Sequence, residues 1–170
     1  GRGSRRRGRG RSEDGFRPHH SGAVPRATDL SAKFSSGDGP ATTAMLRNIP
    51  NKYTQDQLLE EIDGKGFGGT YDFCYLPIDV KNSANVGYAF INFVEPKDFD
   101  RFSEDFRNYR FLHSGSKKIA AVSPAIVQGL RQNVQNLMRK RVSQGRHGPV
   151  LVRDGRRMEL DEMASALKLS

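Results

Sequence analysis

Cysteine is almost absent from this chain. Cys74 stands alone, which excludes an internal disulfide and a cysteine-rich zinc site. No apolar run approaches the ~18 residues a membrane-spanning helix needs, so no membrane partner is expected. No charged-then-apolar leader opens the sequence. We therefore expect an intracellular protein, nuclear or cytoplasmic. His19, His20, His113 and His147 lack metal-ligand spacing. No Ser/His/Asp set or carboxylate pair stands out, and we expect no catalysis, no metal, no cofactor and no small-molecule substrate. Hydrophobic residues are also scarce, at 35% of the 170 residues. A globular domain has roughly 45–50% with glycine counted, and the 18 glycines bring this chain only near the lower bound, so part of the chain is expected not to pack.

Charge is abundant but unevenly placed. Residues 1–40 carry nine basic and four acidic side chains, a net +5. Residues 41–123 carry ten basic and eleven acidic, a net −1. Residues 124–170 carry nine basic and four acidic, again +5. A near-neutral centre thus lies between two basic flanks. Such flanks attract polyanions and release counterions on binding. The opening GRGSRRRGRGRS has nothing to bury, and residues 1–40 read as a disordered Arg/Gly-rich tail.

Patterning begins at Ala41. TTAMLRNI (42–49) reads as a strand. Thr54 and Gln57 then form a capping box ahead of Leu58, Leu59 and Ile62 on one helical face. YDFCYLPI (71–78) and VGYAFINF (86–93) read as two strands around a polar loop. Pro96 opens a helix with Phe99, Phe102 and Phe106 at i, i+3 and i+7, the spacing of a core stripe. KKIAAVSPA (117–125) reads as a last strand. The order predicts an α+β fold: a ferredoxin-like βαββαβ sandwich with a four-stranded antiparallel sheet and two helices on one face. Beyond it, 126–157 reads as a C-terminal helical extension holding a helix, a short strand and a turn at Asp154-Gly155. Residues 158–170 read as a tail, with a small helix within it.

Period two sorts the strand residues by face. In VGYAFINF, Ala89, Ile91 and Phe93 suit the helix-covered side. Tyr88, Phe90 and Asn92 then stand on an open face, where paired aromatics invite stacking bases. The octamer matches K/R-G-F/Y-G/A-F-V-x-F/Y at Gly87, Tyr88, Ala89, Phe90, Ile91 (conservatively) and Phe93, and departs at Val86. The segment AMLRNI (44–49) takes the place of the partner hexamer, with Met45 where a ring is usual. These residues resemble an RNA-recognition motif. MLRNIPNKYTQDQLLEEID and YDFCYLPIDVKNSANVGYAFINF resemble more closely the C-terminal motif of the Mei-two-like meiosis-regulator proteins. That resemblance spans about residues 41–155 and implies RNA binding, in a regulatory or ribonucleoprotein setting, with a C-terminal extension.

The expected partner is single-stranded RNA, of the messenger class. Expected contacts are Tyr88, Phe90 and Asn92, with Met45 and Arg47 sharing their face. Asp72 is read as too polar to bury, so Cys74 and Leu76 are expected on the RNA side of the second strand. Lys52 and Lys81 stand at the rim, and Gln128 and Arg131 follow the last strand. The competing expectation is a protein-interaction domain, its sheet covered by the C-terminal helix and its partners met through the extension.

Overall fold

The computed structural model describes residues 39–169. The expected Arg/Gly-rich tail lies almost wholly outside them. β1 (Thr43–Arg47) starts after Pro40 and ends at Asn48, whose φ of 64° turns the chain. α1 (Gln55–Ile62) begins at the expected capping box: Gln57 N donates to Thr54 Oγ1 at 3.1 Å, and Thr54 N to Gln57 Oε1 at 3.0 Å. A wider turn, Asp63–Phe67, leads through Gly66 to β2 (Tyr71–Tyr75). A small hairpin, β3 (Ile78–Asp79) and β4 (Ala84–Asn85), precedes β5 (Tyr88–Phe93). α2 (Pro96–Phe106) buries Phe99, Phe102 and Phe106 as their spacing predicts, and β6 (Ala121–Pro124) closes the motif.

The extension is longer and more ordered than expected. α3 (Leu130–Lys140) leads through a 3₁₀ turn (Gly145–His147) to β7 (Val150–Arg153) and β8 (Arg156–Met158). Asp154 and Gly155, both at positive φ, make the two-residue turn between these strands. α4 (Leu160–Ala166) follows. Residues 158–169 are therefore no free tail, because Leu160, Met163 and Ala164 are buried.

Six strands form the main sheet in the order β6-β1-β5-β2-β7-β8, with every pair antiparallel, and β3 and β4 pair apart from it. The expected four strands are thus widened by the β7-β8 hairpin on the β2 edge. α1 and α2 back one face. Phe67, Phe93, Phe102 and Phe106 form an aromatic cluster there, with Phe102 and Phe106 stacked 4.5 Å apart.

β2 departs from simple alternation. Its register against β5 shifts between Tyr71 and Phe73, a bulge at Asp72. The extra residue moves everything after it to the opposite face. Cys74 and Leu76, expected on the RNA side, are fully buried in the helix-backed core. Phe73 and Tyr75 take the other face, opposite Asn92 and Phe90. Burial pushes the Cys74 thiol up to about 12, which makes it a packing residue rather than a reactive one.

Candidate nucleic-acid interface

The sheet face away from α1 and α2 carries Met45 and Arg47 on β1, Tyr88, Phe90 and Asn92 on β5, Phe73 and Tyr75 on β2, and Ser123 on β6. Met45 pairs with Phe90 and Ser123, and Arg47 with Tyr88. The Tyr88 and Phe90 rings stand 5.8 Å apart, edge to face. The expected side-by-side pair therefore exists.

The face is not open. Val134 and Leu137 of α3, with Leu160, Met163 and Ala164 of α4, pack on Phe73, Tyr75 and Leu151. Ala125 and Val86 close over Met45 and Tyr88, leaving them 1% and 8% exposed. Phe90 is half-buried between the two clusters. The apolar face of α3 and its last turn explain this correction. That face needs a partner, and the uncovered rings of the sheet supply one.

Hydrogen bonds fix the cover at the start of α3. The Thr43 hydroxyl donates to Asn92 Oδ1 at 2.7 Å and accepts from Gly129 N at 2.9 Å. Asn133 Nδ2 also reaches it, at 3.3 Å, and donates to Gly129 O at 2.8 Å. The Gln128 amide accepts from Thr42 N and Thr43 N, both at 2.9 Å, and donates to Thr43 O and Ala125 O. Arg131 Nη1 donates to Leu167 O at 2.7 Å, joining α3 to the chain after α4. Asn92, Gln128 and Arg131, expected as RNA contacts, thus hold the extension on the sheet.

Asn92 also donates to Asp72 Oδ1 at 2.7 Å. Burial holds that carboxyl above its ordinary range, and the Asn92 bond partly opposes the shift. Three polar atoms beneath the cover have no hydrogen-bond partner among the described residues: Arg47 Nε, Tyr88 Oη and Ser123 Oγ. Burial, with a smaller contribution from Tyr75, pushes the Tyr88 phenol up to about 12. The crevice between α3 and the sheet, bounded by Tyr75, Tyr88, Phe90, Asn136 and Lys140, has a cavity volume of ≈ 30 Å³. That holds a water and not a nucleobase.

One end of the sheet is built differently. The loop after β1, the β3-β4 hairpin and the 3₁₀ turn of the extension surround a hollow of ≈ 360 Å³. Lys52, Asp56, Ile78, Val80, Arg146 and His147 are among its walls. Two buried amides fix the geometry. Asn85 Nδ2 donates to Pro50 O and Tyr53 O, both at 2.8 Å, tying the first loop to the hairpin. Gln55 Nε2 donates to Gly148 O, and its Oε1 accepts from Leu76 N, both at 2.9 Å, tying the extension to the end of β2. Lys52 stands at this hollow, and Lys81 lies on the adjoining hairpin loop. Arg146 and His147 join them from nearly a hundred residues away, which sequence spacing gives no means to see. Lys118 Nζ donates to Asn51 Oδ1 at 2.9 Å, and α3 ends there with Arg139, Lys140 and Arg141, so more positive charge gathers at this end.

Among the described residues, no group of three or more His, Cys, Asp or Glu side chains is placed to hold a metal. No described helix is long and apolar enough to cross a membrane.

The RNA recognition motif 2 family matches residues 41–138. Protein MEI2-like 3 of Arabidopsis thaliana is 52% identical over 101 residues, which are 59% of this chain and 13% of that protein. Protein MEI2-like 2 of Oryza sativa subsp. japonica is 47% identical over 97 residues, 57% of this chain and 11% of that protein. The match thus spans roughly a tenth of the length of these relatives. A solved Rna15 RRM with bound RNA (GU) superposes with a TM-score of 0.47 at 16% identity, over 59% of this chain and 99% of that one. The Mei-two-like resemblance read from RNIPNKYT and NVGYAFINF holds in these relatives.

Proposed function

Because this chain belongs to the RNA recognition motif 2 family, a family of RNA-binding domains rather than enzymes, we propose that it binds single-stranded RNA, of the messenger class, with its helical cover in place. The observation that carries this reading is the contrast between a closed sheet face and an open basic end. Lifting α3 and α4 would uncover Phe73, Tyr75, Val134, Leu137, Leu160 and Met163. At about 1.5–3 kcal/mol for each large side chain, that costs roughly 10–20 kcal/mol. Stacking two bases on Tyr88 and Phe90 returns about 1–3 kcal/mol each. RNA therefore does not strip the cover to reach the rings. It meets the loop end, where Lys52 and Lys81 supply charge, and the exposed part of Arg47 adds to them.

A titration with a fluorescent single-stranded RNA of random sequence tests this. Tyr88→Leu with Phe90→Leu keeps the buried volume apolar and removes both rings. An RNA platform on those rings loses more than about tenfold in affinity, whereas the covered sheet loses less than about threefold. A loss beyond tenfold in a variant that melts like the parent overturns the covered reading.

One observation favours a second reading, a protein-interaction domain. The cover occupies the surface on which bases stack, and α3 and α4 turn new exposed faces to solvent. Failure of the parent chain to bind any single-stranded RNA at low salt would leave that reading in its place.

A further inference from the structure

We propose that the hollow between the β1-α1 loop, the β3-β4 hairpin and the Gly145–His147 turn is a nucleotide site. It takes one nucleoside of a single-stranded RNA in the cavity, with the flanking phosphates on Lys52 and Arg146. The proposal rests on the RNA-binding reading above and locates it.

Size separates the two candidate cavities. The hollow holds ≈ 360 Å³, within the roughly 300–1,000 Å³ of small-ligand sites, whereas the crevice under α3 holds ≈ 30 Å³. Its lining has both elements a nucleotide needs. Ile78 and Val80 give it an apolar wall. Lys52 and Arg146 give it cations, and neither forms an ion pair among the described residues. The acids nearby have partners of their own. Asp56 lies 3.9 Å from Arg157, and Asp79 accepts from Lys81 N and Asn82 Nδ2. His147 adds a flat ring with donor and acceptor nitrogens.

The walls are also preorganised. Asn85 and Gln55 spend their amides on holding the three segments together, so the hollow does not depend on ligand for its shape. The site needs both the RNA-recognition motif and its extension, since Lys52 and Arg146 come from different parts of the chain. Unpaired cations at the hollow attract the strand over some distance, and the hollow receives one unit of it.

The experiment compares two charge reversals of equal size in the full chain. Lys52→Glu with Arg146→Glu removes the phosphate contacts of the hollow. Lys97→Glu with Arg107→Glu changes net charge by the same amount on the α2 side. Binding is measured with a single-stranded RNA carrying one 4-thiouridine, across a range of salt. The groove pair is expected to weaken binding by about tenfold and to lower the salt slope by about 1.4, from two lost contacts at about 0.7 each. The remote pair is expected to change affinity less than about threefold. Photocrosslinks are expected within residues 52–56, 78–83 and 146–147.

Equal losses from both pairs would reduce the hollow to bulk charge and overturn the proposal. So would crosslinks confined to Tyr88, Phe90 and α3, or displacement of the RNA by a poly-glutamate peptide at matching concentration. These results would leave RNA binding itself standing, whereas an inert parent chain would remove both readings. Should the reversals unfold the domain, Lys52→Gln with Arg146→Gln gives the same comparison, with about half the effect expected; no change would overturn the assignment.

Discussion

The two faces of one sheet are packed by different means. On the face backed by α1 and α2, rings and aliphatic side chains meet with little polar interruption: Phe67, Phe93, Phe102 and Phe106 touch one another. On the other face, a hydrogen-bonded clasp around Thr43 and Asn92 seats a helix over rings, and three polar atoms beneath it have no partner among the described residues. The first face is made by the motif alone. The second is completed by residues some 45–90 positions further along the chain. The comparison teaches that an RNA-type surface can be retained in sequence while its accessibility is decided by an appended segment.

Three measurements would sharpen or break that contrast. The largest effect is expected on the helix-backed side. Phe102→Ala leaves a cavity among three rings, Phe67, Phe93 and Phe106, and should cost about 3–5 kcal/mol in urea unfolding. A loss below 1 kcal/mol would mean that this face is not the principal core. Leu137→Ala on the cover should cost less, about 2–3 kcal/mol, because Leu137 lies at the rim of its cluster. Its signature is local: hydrogen exchange should rise at Phe73–Tyr75 and Tyr88–Asn92 before it rises in α1 or α2. Uniform acceleration would show that cover and motif open as one unit.

The smallest effect is expected from Tyr88→Phe. It removes a buried hydroxyl with no partner among the described residues, so stability at neutral pH should stay level or rise by up to about 1 kcal/mol. The alkaline limb gives a second readout. The folded phenol is held at about 12, above the 10.0 of a free tyrosine, so the folded state keeps its proton longer than the unfolded chain does. That contribution is complete below pH 10 and is lost as pH rises through 12. The variant should therefore lose less stability between these values, with Tyr75 still contributing in the same direction. An unchanged alkaline limb would show that Tyr88 is not held as its burial implies.

Much of the fold is legible in the sequence because its signals are local. The Thr54–Gln57 capping box, the Phe99–Phe102–Phe106 stripe and the Asp154-Gly155 turn each act within a few residues, and each stands where its spacing places it. The errors arise where a local rule meets a distant cause. Counting by twos from Asp72 puts Cys74 and Leu76 on the wrong face, because the count assumes an unbroken ladder. Asp72 does share the face of Asn92, as its polarity suggests, but the bulge carries Phe73 there with it. The helix at 130–140 is visible from its apolar spacing. Its resting place is not, since the hydrogen bonds that seat it join residues some 85–90 positions apart. Gln128 and Asn92, expected as RNA contacts, spend their amides on seating the extension. The hollow escapes for the same reason: Arg146 and Lys52 become neighbours only when β7 adds to the sheet.

The pairing of β7 with β2 has a consequence for where this domain ends as a folding unit. Without the hairpin, β2 would be the outermost strand, and its Phe73–Tyr75 backbone would present free amides and carbonyls beside aromatic side chains, a template for pairing between molecules. With it, the margin of the sheet passes to β8, a three-residue strand flanked and filled by arginine: Arg153, Arg156 and Arg157. The family match stops at residue 138, inside α3 and before this margin is built. The packed unit therefore reaches past the motif into α4, and its outer sheet edge carries arginines that the motif itself does not contain.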